Sequence, residues 1–172
     1  MRLFIAVNFN EEILESLTAL QNEWSILGVR GNFTPQQNLH LTLAFIGEYG
    51  NPNAVLDAMN SVDFAPFVVR LDGIGTFRDI FWAGLAENVA LSNYVRRLRK
   101  ALAQHDIPFD RKKFSPHITL VRRAEFFGTV EQLLKNPPVG QMEVESVSLM
   151  SSTRGKRGMI YTKVGVVEAS RQ

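Results

Sequence analysis

The pattern of hydrophobic and polar residues divides the chain into alternating strands and helices. Short apolar runs rich in β-branched and aromatic residues predict strands, whereas apolar residues three and four positions apart predict helices. Capping residues and clusters of Gly, Pro and Asn mark the ends of these elements. The predicted order is strand 2–9, helix 10–27, loop 31–37, strand 38–46, a short helix ending near 62, strand 67–71, strand 80–85, helix 88–104, basic loop 110–115, strand 116–122, short helix 128–135, and strands 143–150 and 159–167.

The second half of this pattern repeats the first. Without gaps, one offset of 77 residues places LFIA at 3–6 over IFWA at 80–83 and HLTL at 40–43 over HITL at 117–120. We therefore predict an internal duplication. The expected fold is α+β, with two pseudo-symmetric lobes around a central cleft, each an antiparallel sheet with helices on its outer face. A length of 172 residues suits a single bilobal domain over 1–172.

Each repeat carries a His and a Thr two positions apart in a predicted strand. Alternate side chains of a strand share one face. His40 and Thr42 therefore lie on one side of their strand, and His117 and Thr119 lie on one side of theirs. If the lobes are related by a pseudo-twofold axis, both polar faces line the same cleft. Two imidazoles and two hydroxyls would then converge on one ligand.

Strict alternation makes two further predictions for these strands. It places Ala44 on the polar face with the first His, and Phe45 on the apolar face. It also turns Arg122, five residues after the second His, towards the apolar face. A bulge must re-aim this guanidinium if it is to reach the cleft; otherwise Arg123 takes its place.

Composition narrows the chemistry. The chain has no cysteine, which excludes disulfides, thiol nucleophiles and thiolate metal sites. No apolar run approaches the length of about 18 residues that a membrane helix needs, so we expect a cytoplasmic protein without membrane contact. Residues 1–86 have net charge −5 and residues 87–172 have +7. This asymmetry suits a polyanionic partner, although two solvated faces of opposite charge would explain it equally well.

Two imidazoles beside a phosphodiester suit acid–base catalysis. One neutral ring removes a proton from the attacking oxygen and one protonated ring donates a proton to the leaving oxygen. The ordinary histidine pKa of about 6.5 makes both states accessible near neutral pH. A zinc site is the competing interpretation, but two His without an adjacent carboxylate or Cys supply too few ligands. We expect no metal and no cofactor. His105, at a predicted helix end, is given no role.

These motifs resemble a known family. NLHLTLAFIGE at 38–48 and SPHITLVR at 115–122 are similar to the paired HxTx motifs of the 2H phosphoesterases, and most similar to the RNA 2',3'-cyclic phosphodiesterases, historically called 2'-5' RNA ligases. The resemblance extends to segments 1–6, 73–77, 82–84 and 148–151, and so covers nearly the whole chain. It implies a bilobal α+β fold and metal-independent opening of a 2',3'-cyclic phosphate at an RNA end, leaving a 2'-phosphate.

The resemblance also implies a role for each site residue. The roles are His40 as proton donor, His117 as proton acceptor, Thr42, Thr119 and Arg122 as phosphate-binding residues, and Phe77 as a stacking platform for the terminal base. The segment between Phe77 and Trp82 is short and lacks the prolines associated with the family, which leaves base specificity open. Other aromatic residues are expected in the core: Trp24, Phe33, Phe81 and Trp82.

Several functions share these features. The leading hypothesis is hydrolysis of RNA 2',3'-cyclic phosphate ends, tRNA fragments among them, or of 2',3'-cyclic nucleotides. The same scaffold could act on another small cyclic phosphate or join 2'-5' linkages by the reverse reaction. A different class of function is an RNA-end binding module without turnover, which the positive second half and Phe77 would also suit. We expect a monomer.

Overall fold

The computed structural model describes residues 1–170, which form nine β-strands and four α-helices. In chain order these are β1 (Arg2–Asn8), α1 (Glu11–Leu27), β2 (Arg30–Phe33), β3 (His40–Glu48), α2 (Pro52–Asn60), β4 (Phe67–Phe77), β5 (Ile80–Leu85), α3 (Val89–Gln104), β6 (His117–Glu125), α4 (Val130–Leu133), β7 (Gln141–Val144), β8 (Ser146–Gly155) and β9 (Gly158–Glu168). A single 3-10 turn, Gln36–Asn38, precedes β3.

Each of the two long helices begins after an asparagine that caps its first turn. The side chain of Asn10 accepts a hydrogen bond from the Ile13 backbone N–H at the start of α1, and Asn88 does the same for Leu91 at the start of α3. Helix α1 ends at Gly28, whose φ of 106° is a left-handed conformation that costs glycine little. The predicted bounds of both helices are therefore confirmed to within one residue.

Two antiparallel sheets make up the fold and confirm the predicted α+β class. The first has strand order β3-β1-β8-β9 and the second has β2-β6-β5-β4-β7. The run β6-β5-β4 in the second sheet repeats β3-β1-β8 in the first, and β3 and β6 begin at the two motif histidines. These correspondences support the internal duplication, which stays a prediction.

The lobes are not consecutive halves of the chain. Strand β8 returns to pair with β1 of the first sheet, whereas β7, immediately before it, pairs with β4 of the second. The predicted single strand 143–150 was therefore wrong, because hydrophobic periodicity does not show where a chain crosses between sheets. The predicted loop 31–37 was also wrong in part: β2 pairs with β6 at the sheet edge, although its Gly and Asn residues disfavour strands.

One continuous core joins the two sheets. Helix α1 packs against β6 and helix α3 against β3, so each long helix contacts a motif strand from the other half of the chain. Buried leucines from both helices and both motif strands belong to the same cluster: Leu17, Leu43, Leu98 and Leu120. The core thus fixes the two motif strands relative to each other. Within residues 1–170, no helix is both long and apolar enough to cross a membrane.

Candidate active site

His40 is the first residue of β3 and both of its ring nitrogens are engaged. Its Nδ1 lies 2.7 Å from the backbone oxygen of Asn38, and its Nε2 lies 2.9 Å from Oγ1 of Thr42. A carbonyl oxygen can only accept, so Nδ1 carries the hydrogen and donates it. In the neutral ring, Nε2 then holds the lone pair and accepts from the Thr42 hydroxyl. The ring is packed between Phe4, at 4.9 Å between centroids, and Tyr161, at 5.3 Å.

His117 is held by the same backbone device at the start of β6. Its Nδ1 lies 2.7 Å from the backbone oxygen of Ser115, again two residues earlier. Within the part of the chain that the structure describes, its Nε2 has no hydrogen-bond partner. The ring contacts Phe77, at 5.2 Å between centroids, and Trp82, at 6.0 Å. Both motif histidines therefore have Nδ1 fixed by the backbone, which leaves Nε2 as the nitrogen for chemistry.

The electrostatics of the site link the two histidines. Burial lowers the pKa of His40 below its ordinary value of 6.5, and the positive charges of Arg122 and His117 lower it further. The hydrogen bond to the Asn38 carbonyl opposes this shift. His40 is therefore neutral near pH 7 in the free protein. The same interactions show that Arg122 and His117, far away in sequence, lie within electrostatic range of His40.

A β-bulge interrupts each motif strand at the third residue after its histidine. Opposite β1, Ile5 pairs with Ala44 but Ala6 pairs with Thr42, so Leu43 is the extra residue. Opposite β5, the pairing moves in the same way from Val121 to Thr119 and passes over Leu120. Beyond each bulge the alternation of faces is shifted by one residue.

The shift in alternation changes which side chains reach the cleft. Ala44 is fully buried and Phe45 is 36% exposed, so the predicted faces of these two residues were wrong. In the second strand, the same shift brings Arg122 into one pocket with His40 and Thr42, as the bulge hypothesis requires. Arg123 lines no part of this pocket, and its φ of 52° marks a further irregularity in β6.

The pocket on the His40 side, which we call the reaction pocket, has a volume of about 280 Å³. The residues that line it are Arg2, Phe4, His40, Thr42, Phe45, Arg122, Ser152, Met159 and Tyr161, whereas His117 and Thr119 do not line it. Among residues 1–170, two guanidiniums and no carboxylate line it, and the Arg2 guanidinium lies 5.4 Å from the Phe45 ring centroid. The pocket therefore suits an anion bound against an apolar floor.

Several neighbours of the histidines were not identified from the sequence. Trp82 was expected in the core, but its half-buried ring contacts His117 and lies 5.0 Å from the Phe77 ring centroid. The ring lies over Gly75, where any Cβ would overlap it. Tyr161 comes from β9, far along the chain from either motif, although it contacts His40 in the fold. Backbone carbonyls and cross-strand contacts of this kind leave no signature in one sequence. Trp82 pairs with Thr119 across the sheet, so only a predicted pairing of these two strands could have suggested it.

The other residues that the sequence singled out lie outside the reaction pocket. Phe77 is 42% exposed beside His117, where it is accessible to a ligand. Trp24 is fully buried, and Phe33 and Phe81 pack against the core. His105 Nδ1 lies 2.8 Å from the Ala101 carbonyl oxygen at the end of α3. Among residues 1–170, no group of three or more His, Cys, Asp or Glu side chains is arranged to hold a metal ion.

Comparison with known proteins gives a consistent result. The sequence model of the 2'-5' RNA ligase superfamily matches residues 12–156. An RNA 2',3'-cyclic phosphodiesterase from Thermotoga maritima is 29% identical over 94% of this chain and 91% of its own length. One from Thermus thermophilus is 31% identical over 94% of this chain and 87% of its own.

Solved structures share the fold over almost the full chain. A crystal structure of E. coli LigT in apo form superimposes with a TM-score of 0.83 and 26% identity, covering 99% of this chain and 98% of that one. A structure of E. coli LigT complexed with 3'-AMP gives a TM-score of 0.82, with the same identity and coverage.

Proposed function

Because this chain belongs to the 2'-5' RNA ligase superfamily of 2H phosphoesterases, and is therefore a phosphodiesterase, we propose that it hydrolyses 2',3'-cyclic phosphates at RNA ends to 2'-phosphomonoesters. Relatives named RNA 2',3'-cyclic phosphodiesterase along nearly the whole chain support this substrate. The observation that carries the proposal is the shared setting of His40 and His117, each with Nδ1 bound to the carbonyl two residues earlier and Nε2 left for proton transfer.

The reaction needs one acid and one base. His117 accepts a proton from water at Nε2, and the water oxygen attacks phosphorus. The bond between phosphorus and the 3'-oxygen breaks, and His40 donates a proton from Nε2 to that oxygen. The products are a 2'-phosphate and a 3'-hydroxyl, and the two imidazoles exchange protonation states.

Three side chains stabilise the charge of the phosphoryl oxygens. Thr42 and Thr119 donate hydroxyl hydrogens, and the Arg122 guanidinium compensates the added negative charge of the transition state. Arg122 lines the reaction pocket with His40 and Thr42, which supports this assignment. Phe77 beside His117 stacks on the terminal base.

The lowered pKa of His40 bears on its role as donor, since a donor must be protonated when it acts. The burial and positive neighbours that lower the pKa act in the free protein. An anionic phosphate bound among His40, His117 and Arg122 offsets the two positive charges and raises the pKa again. Substrate binding would thus favour protonation of His40 at Nε2, and His40 then donates this proton to the leaving oxygen.

One assay tests the proposal directly. The protein is incubated with a 2',3'-cyclic mononucleotide in excess EDTA, and the phosphomonoester isomer is identified. A 2'-phosphate formed at an undiminished rate supports metal-free hydrolysis with the assigned leaving oxygen, whereas a 3'-phosphate contradicts that assignment. Salt-sensitive binding of the RNA end without any product would instead show a binding module.

Ligation would use the same groups and break the same bond between phosphorus and the 3'-oxygen. An RNA 5'-hydroxyl in place of water would attack the cyclic phosphate and form a 2'-5' linkage, with His117 as its base. Ligation at high concentrations of both RNA ends tests this. A cytoplasmic location, consistent with the absence of cysteine, and a monomeric state also remain predictions.

A further inference from the structure

A second cavity adjoins the reaction pocket and has no part in the mechanism above. It has a volume of about 530 Å³, within the range of about 300–1,000 Å³ that is typical of small-molecule sites. Arg122, Met159 and Tyr161 line both spaces, so these side chains form a shared wall. The far side is made by β2 and its following loop and by Arg157 and Gly158 at the β8–β9 turn.

The lining of this second cavity suits a nucleotide. Within the described residues it contains the two guanidiniums of Arg122 and Arg157 and no acidic side chain. It also contains the rings of Phe33 and Tyr161 and the amide of Asn32. Cationic groups bind phosphate, aromatic rings stack on bases and amides bind base edges.

Asn38 connects this cavity to the chemistry. Its side-chain amide donates to the backbone oxygen of Met159, 2.9 Å away, and so ties the shared wall to the start of β3. Its own backbone oxygen is the acceptor that orients His40. The side chain is buried, with 7% exposure, and lines the second cavity. A ligand in this cavity would therefore contact the segment that holds the acid.

We propose that the second cavity binds the penultimate nucleotide of the RNA, the one before the nucleotide that carries the cyclic phosphate. Arg157 then contacts the phosphodiester between the last two nucleosides. The proposal rests on the proposed function. A 2',3'-cyclic phosphate ends the RNA, so the chain continues only through the 5'-oxygen of the terminal ribose. With the terminal base at Phe77, beside His117, the rest of the RNA chain extends towards the second cavity, which Arg122 and Arg157 line. The preferred substrate is then an oligonucleotide.

The test compares a dinucleotide that ends in a 2',3'-cyclic phosphate with the corresponding 2',3'-cyclic mononucleotide. We expect wild type to favour the dinucleotide in kcat/KM, and Arg157→Gln to lower the dinucleotide value about tenfold more than the mononucleotide value. The dinucleotide should also show a log–log salt dependence steeper by about 0.7, the slope for one phosphate contact on a single strand. Lys156→Gln, at the adjacent exposed position of the same turn, is the matched control and should preserve the preference.

The outcomes separate this inference from the proposed function. Equal losses on both substrates would place the reacting nucleotide itself in the second cavity, and no loss on either would show that RNA does not enter it; both results overturn the inference while hydrolysis stands. Absence of turnover by wild type on either substrate overturns the proposed function, and this inference with it.

A different observation concerns two helix residues that bind the bulges. Gln21 of α1 donates from Nε2 to the backbone oxygen of Leu120, 2.9 Å away, and to that of Thr34, also 2.9 Å away. Arg99 of α3 donates from Nη2 to the backbone oxygen of Leu43, 3.1 Å away, and from Nη1 to that of Lys112, 2.7 Å away.

Each of these two residues links one motif strand to the loop that precedes the other. Gln21 joins the bulge of β6 to the loop that leads into β3, and Arg99 joins the bulge of β3 to the loop that leads into β6. The bulge at Leu120 is what turns Arg122 into the reaction pocket. We infer that Gln21 is a positioning residue that acts through Arg122, and that Arg99 is its counterpart in the other lobe.

A double-mutant cycle tests the role of Gln21. Gln21→Met keeps the size of the side chain but removes its donor; we expect kcat/KM to fall about tenfold when Arg122 is present and less than twofold in the Arg122→Met background. The control is Asn22→Leu, which likewise replaces an amide by an apolar group of similar size, at the next and exposed position. Assays run well below the unfolding midpoint of each variant. The same loss in both backgrounds, or no loss in either, would show that Gln21 does not act through Arg122.

For Arg99, conservative rescue is the corresponding readout. Arg99→Lys keeps one donor towards the Leu43 carbonyl and should retain more activity than Arg99→Met at matched stability. Equal activity of the two variants contradicts the positioning role.

Discussion

The two half-sites, His40 with Thr42 and His117 with Thr119, hold their histidines by the same backbone contact but surround them differently. In both, Nδ1 binds the carbonyl two residues earlier at 2.7 Å. Each imidazole also lies against two aromatic rings. Around His40, however, the Nε2 atom is bound by Thr42 and the pKa of the imidazole is lowered. Around His117, the Nε2 atom has no partner within residues 1–170, and the neighbouring Phe77 is exposed.

This difference matches the division of labour that we propose. A base that activates water needs a free lone pair and access to solvent, as at His117. An acid that protonates a leaving oxygen must be protonated once the substrate is bound, and the lowered pKa of His40 makes its charge depend on the bound anion. The two repeats thus have one scaffold but two environments.

The largest expected effect removes either imidazole. His40→Ala and His117→Ala should each lower kcat/KM by about 100-fold to 10,000-fold, since each loses one proton-transfer group. The double variant should lose little more than either single variant, because the two rings act as a unit. Circular dichroism verifies the fold of each variant. Near-normal hydrolysis by either single variant would remove that histidine from the mechanism.

Arg122 breaks the equivalence of the half-sites, because the corresponding position of the first repeat is Phe45. Arg122→Met should lower kcat/KM by about 100-fold, the usual cost of removing a donor that stabilises transition-state charge. The same change should raise the pKa of His40, since one lowering charge is gone. Steady-state kinetics and an NMR titration of the His40 ring measure the two effects.

Arg123→Met is the control, because Arg123 does not line the reaction pocket. It should leave both quantities unchanged. A larger loss for Arg123→Met than for Arg122→Met would reverse the assignment of the phosphate-binding guanidinium.

Thr42 and Thr119 differ in their contact with the motif histidines, because Thr42 binds His40. Thr119→Val should lower kcat/KM about tenfold by removing one hydroxyl donor. Thr42→Val should do the same and should also alter the His40 titration, because the Thr42 hydroxyl binds a motif imidazole and, within residues 1–170, the Thr119 hydroxyl does not. If Thr119→Val shifts the His40 titration as much as Thr42→Val does, the hydrogen bond from Thr42 is not what distinguishes the surroundings of His40.

Phe77 should affect substrate binding more than chemistry. Phe77→Ala removes a stacking contact worth about 1–3 kcal/mol and should raise KM with little change in kcat. Phe127→Ala, at a fully exposed phenylalanine outside both pockets, is the matched control. A fall in kcat at constant KM would contradict stacking on the base.

The smallest expected effect is on stability. A His whose folded-state pKa is lowered resists protonation, so folding weakens as pH falls below the unfolded-state value of about 6.5. His40→Gln removes this dependence, and urea unfolding at several pH values should give wild type the steeper loss between pH 7.5 and 5.5. Parallel curves for the two proteins would show that His40 is not buried in its neutral form.

Much of this arrangement follows from the sequence, and the remainder depends on tertiary contacts. The helical pattern over 10–27 and 88–104 and the alternation at His40 and His117 predicted the long helices and the polar faces of β3 and β6. The faces of Ala44 and Phe45 were wrong because hydrogen bonding between strands, not side-chain periodicity, creates the bulges.

The enclosure of His40 was equally inaccessible to local patterns. Tyr161 arrives from β9 only because β8 crosses back to the first sheet. Likewise, the bonds of Gln21 and Arg99 to the bulges depend on how each long helix packs on the opposite motif strand.

The most direct measurement asks whether the two imidazoles share one phosphate. The ring resonances of His40 and His117 are followed by NMR while a nucleoside 2'-monophosphate is added at constant pH. Both sets should shift with the same dissociation constant, and His40 should take up a proton. Movement of only one ring, or two different constants, would contradict a common phosphate site.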